Sequence, residues 1–320
     1  MATMSAPDLR PPALFIMGPT AAGKTALAVE LVRRYPCEII SVDSAMVYCD
    51  MDIGTAKPDS ATLREAPHRL IDICDPAKAY SAAEFCKDAL REMWAIHAAD
   101  RVPLLVGGTM LYFRALQHGL SPLPSADANV RMQLADECSK YGLNVLYRHL
   151  HTLDPIAAAR IHPHDTQRIM RALEVYAITG RTLSELYADE RDEIFPFRII
   201  KLIIAPSIRQ ILHQRIEERF LIMLKQGLID EVESLYKRPD LSLDNPAIRA
   251  VGYRQVWEYL AGLNDYNTMV NRGVIATRQF AKRQLTWLRS ETDSIWLDSL
   301  AQNILSQTCD CLENERFFLR

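Results

Sequence analysis

The chain has 320 residues, of which 49% are hydrophobic and 24% charged, with a formal net charge of −3. That length suits one large domain or a core carrying a smaller inserted one, and the composition is that of a folded chain rather than a disordered one. The charge excludes a chain that grips nucleic acid over its whole surface, so any RNA contact must come from local basic patches.

Met1 to Pro12 has no apolar stretch of the signal-peptide kind and reads as a short disordered arm. Ala13 to Met17 is an apolar run ended by glycine and proline, which predicts a strand. Helical periodicity follows from about Lys24 to Arg34 and is stopped by Pro36. Glu38 to Val42 is the next strand, and a right-handed crossover makes it parallel to the first. Leu104 to Val106, ended by Gly107 and Gly108, and Phe197 to Ala205 are two more strands. Strands alternating with helices predict the α/β class: a P-loop NTPase-like parallel sheet core flanked by helices on both faces.

From about Leu123 to Phe195 strand signals vanish. Helical stretches run over Asp127–Tyr141, Val145–Leu153, Thr166–Thr179 and Leu183–Asp189, punctuated by Pro122, Pro124, Pro155, Pro163 and Pro196. This predicts an all-helical insertion over 123–195, hung between two strands of a core made of 1–122 and 196–320. After Pro206 the pattern is helical to about Arg289, and the remainder is a weak tail. No run of about 18 apolar residues predicts a membrane span. The seven cysteines are odd in number and form no C-x-x-C pair, which points to reduced thiols in a cytoplasmic enzyme. His162 and His164 flank Pro163 without a third metal ligand and read as a solvated loop.

The most informative segment is Gly18-Pro19-Thr20-Ala21-Ala22-Gly23-Lys24-Thr25, which fits G-x-x-x-x-G-K-[ST] between an apolar strand and an amphipathic helix. Backbone N–H groups in such a loop form an anion nest, and the helix N-terminus adds partial positive charge. Lys24 reaches the outer phosphate oxygens, the Thr25 hydroxyl can ligate Mg²⁺, and Gly18 and Gly23 let the backbone approach the phosphates. The motif predicts a bound phosphate chain and says nothing of what that chain carries.

An ATPase would normally add an aspartate at the end of a second strand to hold Mg²⁺. The Leu104–Val106 strand ends in Gly107-Gly108-Thr109, with no acid. Asp43, just after Val42, stands instead at a strand's C-terminal end, where ligands bind in doubly wound sheets. By position it is either a base or a turn and N-cap residue. In the helix around Gln210–Leu224, Arg215 and Arg219 share one face, and either could reach a phosphate or pair with nearby acids. Between Arg209 and Arg289 thirteen lysines and arginines face nine acids, a local charge of +4.

These motifs carry a family resemblance. GPTAAGKT, Ser41–Pro58 (SVDSAMVYCDMDIGTAKP), Val106–Leu116 (VGGTMLYFRAL), Gln167–Tyr176 (QRIMRALEVY), Ala247–Trp257 (AIRAVGYRQVW) and Lys282–Arg289 (KRQLTWLR) appear in order across about 290 residues. Together they resemble the tRNA dimethylallyltransferases, also called the tRNA isopentenyltransferase family, of bacterial type. Ala22 and Met110 depart from the common serine and glycine of that family, at positions that supply no proton or charge.

The resemblance implies transfer of the dimethylallyl group of dimethylallyl diphosphate to N6 of the adenosine 3′ of a tRNA anticodon. Asp43 would then be the general base, Thr20 a second active-site hydroxyl and Arg219, rather than Arg215, a catalytic diphosphate ligand. Mg²⁺ would sit on Thr25. It also implies tRNA contacts from Asp43, Ser44, Ala45, Met46, Thr109, Arg131, Gln167, Arg168, Ile169, Met170 and Arg171. Further contacts would come from Arg249, Ala250, Val251, Gly252, Tyr253 and Arg254, and from Lys282, Arg283, Gln284, Leu285, Thr286, Trp287, Leu288 and Arg289. The expected partners are a tRNA anticodon stem-loop and dimethylallyl diphosphate, with no membrane, for a cytoplasmic monomer. A small-molecule kinase, or a nucleotide-gated RNA-binding module without turnover, is the competing reading of the P-loop.

Overall fold

Five of the six residues of β1 (Pro12–Met17) are buried, which only an inner strand of a sheet covered on both faces allows. The computed structural model describes residues 9–119, 123–124, 127–188, 194–314 and 317. The chain divides into two compact units, Met1–Gln117 with Phe195–Arg320, and His118–Ile194.

In the first unit β1 is followed by α1 (Lys24–Arg34), β2 (Cys37–Val42), α2 (Ser60–Glu65), β3 (His68–Arg69), α3 (Ala82–Ala98), β4 (Val102–Gly107) and α4 (Met110–His118). The second unit is helical, with α5 (Ala128–Tyr141), α6 (Leu143–Leu153), α7 (Pro155–Arg160), α8 (Thr166–Thr179) and α9 (Leu183–Ala188). The chain then returns to the first unit with β5 (Arg198–Ala205), α10 (Arg209–Lys225), α11 (Leu228–Tyr236), α12 (Tyr253–Leu260), α13 (Tyr266–Leu288), β6 (Ser294–Asp298) and α14 (Ile304–Asn314).

The six strands form one sheet in the order β3-β2-β4-β1-β5-β6, and every pairing is parallel. The period of two divides β1 between two cores. Phe15 and Met17 face Phe85, Met93 and Phe113 of α3 and α4. Leu14 and Ile16 face Leu27 and Leu31 of α1 and Leu312 of α14. A third cluster packs α10 to α13 on Val47, Tyr48 and Met51. Val42 pairs with Gly107 and Met17 with Gly107, so the carboxyl ends of β2, β4 and β1 lie side by side. The loops that leave those ends build the site.

Several elements differ from the sequence reading. Pro12 belongs to β1 rather than to a disordered arm, whose first eight residues lie outside the described ones. Pro155 starts α7 instead of merely separating helices, because proline is tolerated at a first helical position. The helical pattern after Pro206 is interrupted over 237–252. The tail contributes β6 and α14, which cover the sheet edge and one face. Pro122 and Asp189 lie outside the described residues. All seven cysteines are free thiols.

In the second unit α5, α6, α8 and α9 close over Leu134, Leu146, Leu150, Ile169, Leu173 and Leu186. His162 and His164 are exposed, with the His164 N–H donating to His162 Nδ1 at 3.2 Å. Among the described residues no three metal-ligating groups cluster anywhere. No described helix is long and apolar enough to cross a membrane.

Candidate active site

The loop between β1 and α1 takes its shape from two glycines. Gly23 precedes α1 with left-handed backbone (φ 90°, ψ 12°) and no side-chain cap, so the first-turn N–H groups stay available to an anion. Gly18 has a packing reason besides the phosphate approach expected of it. A Cβ there would lie 2.2 Å from the Ile204 carbonyl oxygen of β5, so the position has no room for a side chain. Ala21 also holds a positive φ of 62°, a conformation that costs an alanine energy and clusters at functional loops.

Thr20 to Thr25 wall a cavity of about 280 Å³ that also contains Asp43, His68, Arg219 and Gln284. Gly18 and Pro19 stand behind that wall, where the Pro19 carbonyl accepts from Lys24 Nζ at 2.8 Å. Burial lowers the Lys24 ammonium to about 8; nearby Asp43 opposes the shift and Arg219 adds to it. Burial likewise pulls the Arg219 guanidinium below its ordinary range, again opposed by Asp43. Two cations thus crowd one cavity with a single carboxylate between them, an arrangement short of negative charge.

Asp43 combines both roles left open for it. Its Oδ1 accepts the backbone N–H groups of Ala45 at 2.9 Å and Met46 at 3.3 Å, the geometry of a turn cap. Neither bond uses Oδ2. The turn is tied to the end of β4, since Thr109 Oγ1 accepts from the Ser44 N–H at 3.0 Å and the Thr109 N–H donates to the Val42 carbonyl. Asp43 also lines a second, more open cavity of about 370 Å³ next to the first, with Thr20, Thr55 and Arg219. Ile216, Phe220 and Met223 give that cavity an apolar wall, and Arg249 and Arg283 a cationic one.

Arg215 and Arg219, equivalent on one helix face in sequence, both line a third cavity beside Ala21, Ala22 and Gly23, but differ in what else they reach. Arg219 also enters both of the cavities that hold Asp43. Arg215 turns toward β6 and donates to Ser299 Oγ at 3.4 Å.

The residues expected to touch RNA separate by burial. Asp43, Ser44, Ala45, Arg249, Ala250, Val251, Gly252 and Arg283 line the open cavity, and Met46 the inner one. Lys282, Thr286 and Arg289 are exposed on α13. Trp287 packs on the sheet core, with the Arg114 guanidinium 5.7 Å from its ring centre. Leu285 is half-buried against the same core. Arg254 is exposed and donates to Glu258 at 3.0 Å. In the helical unit Arg131, Gln167 and Arg168 are exposed and Arg171 is half-buried.

Three members of the set have their side chains in the interior, away from both cavities, and a fourth, Gln284, is buried but lines the inner one. Ile169 is in the core of the helical unit and Leu288 in that of the sheet, with Met170 half-buried beside Ile169. Tyr253 is buried and donates to Glu231 Oε1 at 2.5 Å. The same Glu231 carboxylate accepts the N–H groups of Asp52, Ile53 and Gly54, which holds the loop leading to Thr55. Gln284 is buried beneath the P-loop, where its amide bridges Thr20 and Gly108.

His68 was not singled out in the sequence. It follows Pro67 in a two-residue strand, and no local pattern marks it. Its Nδ1 faces the Ala66 carbonyl at 2.6 Å, which makes that nitrogen the donor. Its Nε2 is buried with no protein partner and its ring lines the inner cavity. Burial lowers its pKa, with the Ala66 bond opposing. Phe280, which lines both cavities, also had no distinguishing signal.

A metal ion is accommodated only in part by protein atoms. Thr25 and Asp43 present oxygens to the inner cavity, and no thiol lines it. Those oxygens suit a hard cation such as Mg²⁺, which takes one or two protein oxygens and completes its shell from phosphates and water.

A family model described as IPP transferase matches residues 46–291. The chain is 35% identical to the full-length tRNA isopentenylpyrophosphate transferase of Bacillus halodurans, covering 96% of this chain and 98% of that one with a TM-score of 0.69. The tRNA delta(2)-isopentenylpyrophosphate transferase of Staphylococcus epidermidis is 31% identical, covering 96% of this chain and 100% of that one, with a TM-score of 0.68. A eukaryotic dimethylallyltransferase caught acting on tRNA is 26% identical over 97% of this chain and 80% of that one, with a TM-score of 0.82. The family match begins after the P-loop, whereas the structural matches span it. The chain belongs to the IPP transferase family.

Proposed function

We propose that the protein transfers the dimethylallyl group of dimethylallyl diphosphate to N6 of the adenosine 3′-adjacent to the anticodon in tRNAs, releasing diphosphate. The observation that carries this reading is the position of Asp43 at the junction of two adjoining cavities. One holds the P-loop and its cations, and the other is open with an apolar wall.

Diphosphate suits the inner cavity, where Lys24, Arg219 and the uncapped N–H groups of α1 meet its charge. Mg²⁺, held through Thr25, would supply further neutralisation of the leaving group. The allylic carbon chain suits Ile216, Phe220 and Met223 in the open cavity. An exocyclic adenine amine is a poor nucleophile because its lone pair is delocalised into the ring, so its proton needs an acceptor. In this reading Asp43 Oδ2 takes that proton, while the two N–H bonds on Oδ1 keep the carboxylate aimed. Thr20 stands on the same wall as a hydroxyl beside the transferring carbon. The adenosine must leave its stack to arrive there, at a cost of a few kcal/mol. Arg249 and Arg283 at the cavity rim and Arg131, Gln167, Arg168 and Arg171 in the helical unit are the side chains assigned to the RNA.

The kinase reading is weakened by β4, which ends at Gly107 and is followed by Gly108 and Thr109 without a metal-binding acid. The transferase reading carries with it a cytoplasmic monomer. Incubation with unmodified tRNA, Mg²⁺ and either dimethylallyl diphosphate or ATP, followed by mass analysis of the nucleosides, tests it. A dimethylallyl-adenosine formed only with the diphosphate ester is expected. ATP consumption, or RNA binding without modification, would overturn the reading.

A further inference from the structure

Glu174 on α8 is 1% exposed. A buried carboxylate is costly unless it is paired, and this one is paired on every side. Its Oε1 accepts the Arg131 Nε–H at 2.8 Å and the Asp127 N–H at 3.0 Å. Its Oε2 accepts from Arg171 Nη1 at 2.7 Å and, at longer range, from Arg131 Nη2 at 3.4 Å. Burial alone would raise its pKa; the bonds from Arg171, Arg131 and Asp127 overcome that and hold the carboxyl below its ordinary range.

The two guanidiniums are both fixed on Glu174, but through different nitrogens. Arg131 is 56% exposed along its side chain and yet its inner edge is fixed on Glu174. Arg171, 29% exposed, is fixed by Glu174 and by a second bond from Nη2 to the Pro124 carbonyl at 2.6 Å. The carboxylate lies below and both guanidiniums lie above it, beside the exposed Asp127 that caps α5. The Nη1 group of Arg131 is outside the Glu174 contact and available to a phosphate. A planar guanidinium held by one edge presents the other in a set direction, which a freely rotating arginine does not.

We propose that Glu174 is a positioning residue for RNA binding, which orients Arg131 and Arg171 toward tRNA phosphates without touching the RNA. The proposal rests on the tRNA reading above. The carboxylate removes rotamer freedom before the RNA arrives, so less is lost on binding. The same contact also ties the start of α5, capped by Asp127, to the middle of α8. A purely structural Glu174 would serve that purpose alone, and the two roles separate experimentally.

The test is a thermodynamic cycle on the full chain. Binding of unmodified tRNA is measured over a salt series for wild type, Glu174→Gln, Arg131→Ala/Arg171→Ala and the triple variant. Glu174→Gln is expected to weaken binding roughly tenfold, about the ordering cost of two rotamer-rich side chains. The KM for dimethylallyl diphosphate and the single-turnover rate at saturating tRNA should stay at wild-type values. In the arginine-free background the same change should have no further effect. If Glu174→Gln does not fold, Glu174→Asp, which keeps the charge and shortens its reach, takes its place in the cycle. Wild-type affinity in the Glu174 variant, or the same loss with and without the arginines, would overturn the proposal while leaving the tRNA reading intact. A wild-type chain that neither binds nor modifies tRNA overturns both.

Discussion

Gln284 holds the P-loop from below: its Oε1 accepts the Thr20 N–H at 2.9 Å, across 264 residues of sequence. The other end of the same amide donates to the Gly108 carbonyl at 2.8 Å. One side chain of α13 therefore fixes the loop after β1 against the loop after β4. Gln284→Leu keeps the volume but leaves a backbone donor and an acceptor without partners. Each unsatisfied group costs about 1–3 kcal/mol when buried. The variant should lose stability of that order in a denaturant melt and show a raised KM for the diphosphate ester. An unchanged melt with unchanged KM would remove Gln284 as a support of the loop.

Asp43→Asn preserves the turn, because an amide oxygen can still accept the Ala45 and Met46 N–H groups. It cannot take a proton. A general base contributes typically about 10²–10⁴-fold, so single-turnover rates should fall by that factor, roughly 3–5 kcal/mol of barrier. Affinity for both substrates should change much less. A rate restored by excess Mg²⁺ would make Asp43 a metal holder. A rate unchanged beside a lowered melting temperature would make it a cap.

The Lys24 ammonium, lowered from 10.5 to about 8 by burial, should leave a mark on the pH profile. kcat/KM reports groups of the free enzyme, so its value for dimethylallyl diphosphate should fall as pH rises through about 8. Bound diphosphate restores the charge and kcat should remain level over the same range. Stability has the opposite sign. Between about 8 and 10.5 the unfolded chain holds a proton on Lys24 that the folded chain has lost, so this group adds stability as pH rises. Lys24→Ala should lose most turnover, remain folded and show neither effect. A kcat/KM profile identical to wild type in that variant would place the titration elsewhere.

Arg283 is exposed at the rim of the open cavity, with its guanidinium 5.9 Å from the Phe280 ring centre. If it meets one tRNA phosphate, Arg283→Ala should lower the slope of log affinity against log salt by roughly one unit. Arg215→Ala, whose guanidinium faces Ser299 instead, should leave the slope unchanged. Equal slopes for Arg283→Ala and wild type would put the RNA on another face.

What was legible in the sequence was local. Lys24–Arg34 and Thr166–Thr179 are helices with the bounds read from periodicity and stop residues, and Gly180 ends the second in the left-handed conformation. The P-loop was legible because eight consecutive residues carry its whole geometry. β3 and β6 were not: a two-residue strand and an edge strand with one buried residue have no periodicity to detect. α3 carries a local signal of its own in the Ser81–Glu84 capping box.

By itself, then, the sequence determined a parallel α/β core, a phosphate loop and an acid at a strand end, since each depends on residues within about ten positions of one another. The tertiary structure decided which groups share a cavity. Arg215 and Arg219 lie one turn apart on a single helix face, and only the packing of α10 against α13 and the P-loop turns Arg219 toward Asp43 and Lys24 and Arg215 toward Ser299. Gln284 read as a surface contact until α13 carried it under Thr20, and His68 had no role until β3 brought it to the same wall. Such distances are set by strand order and helix packing between distant segments, which no spacing along the chain encodes.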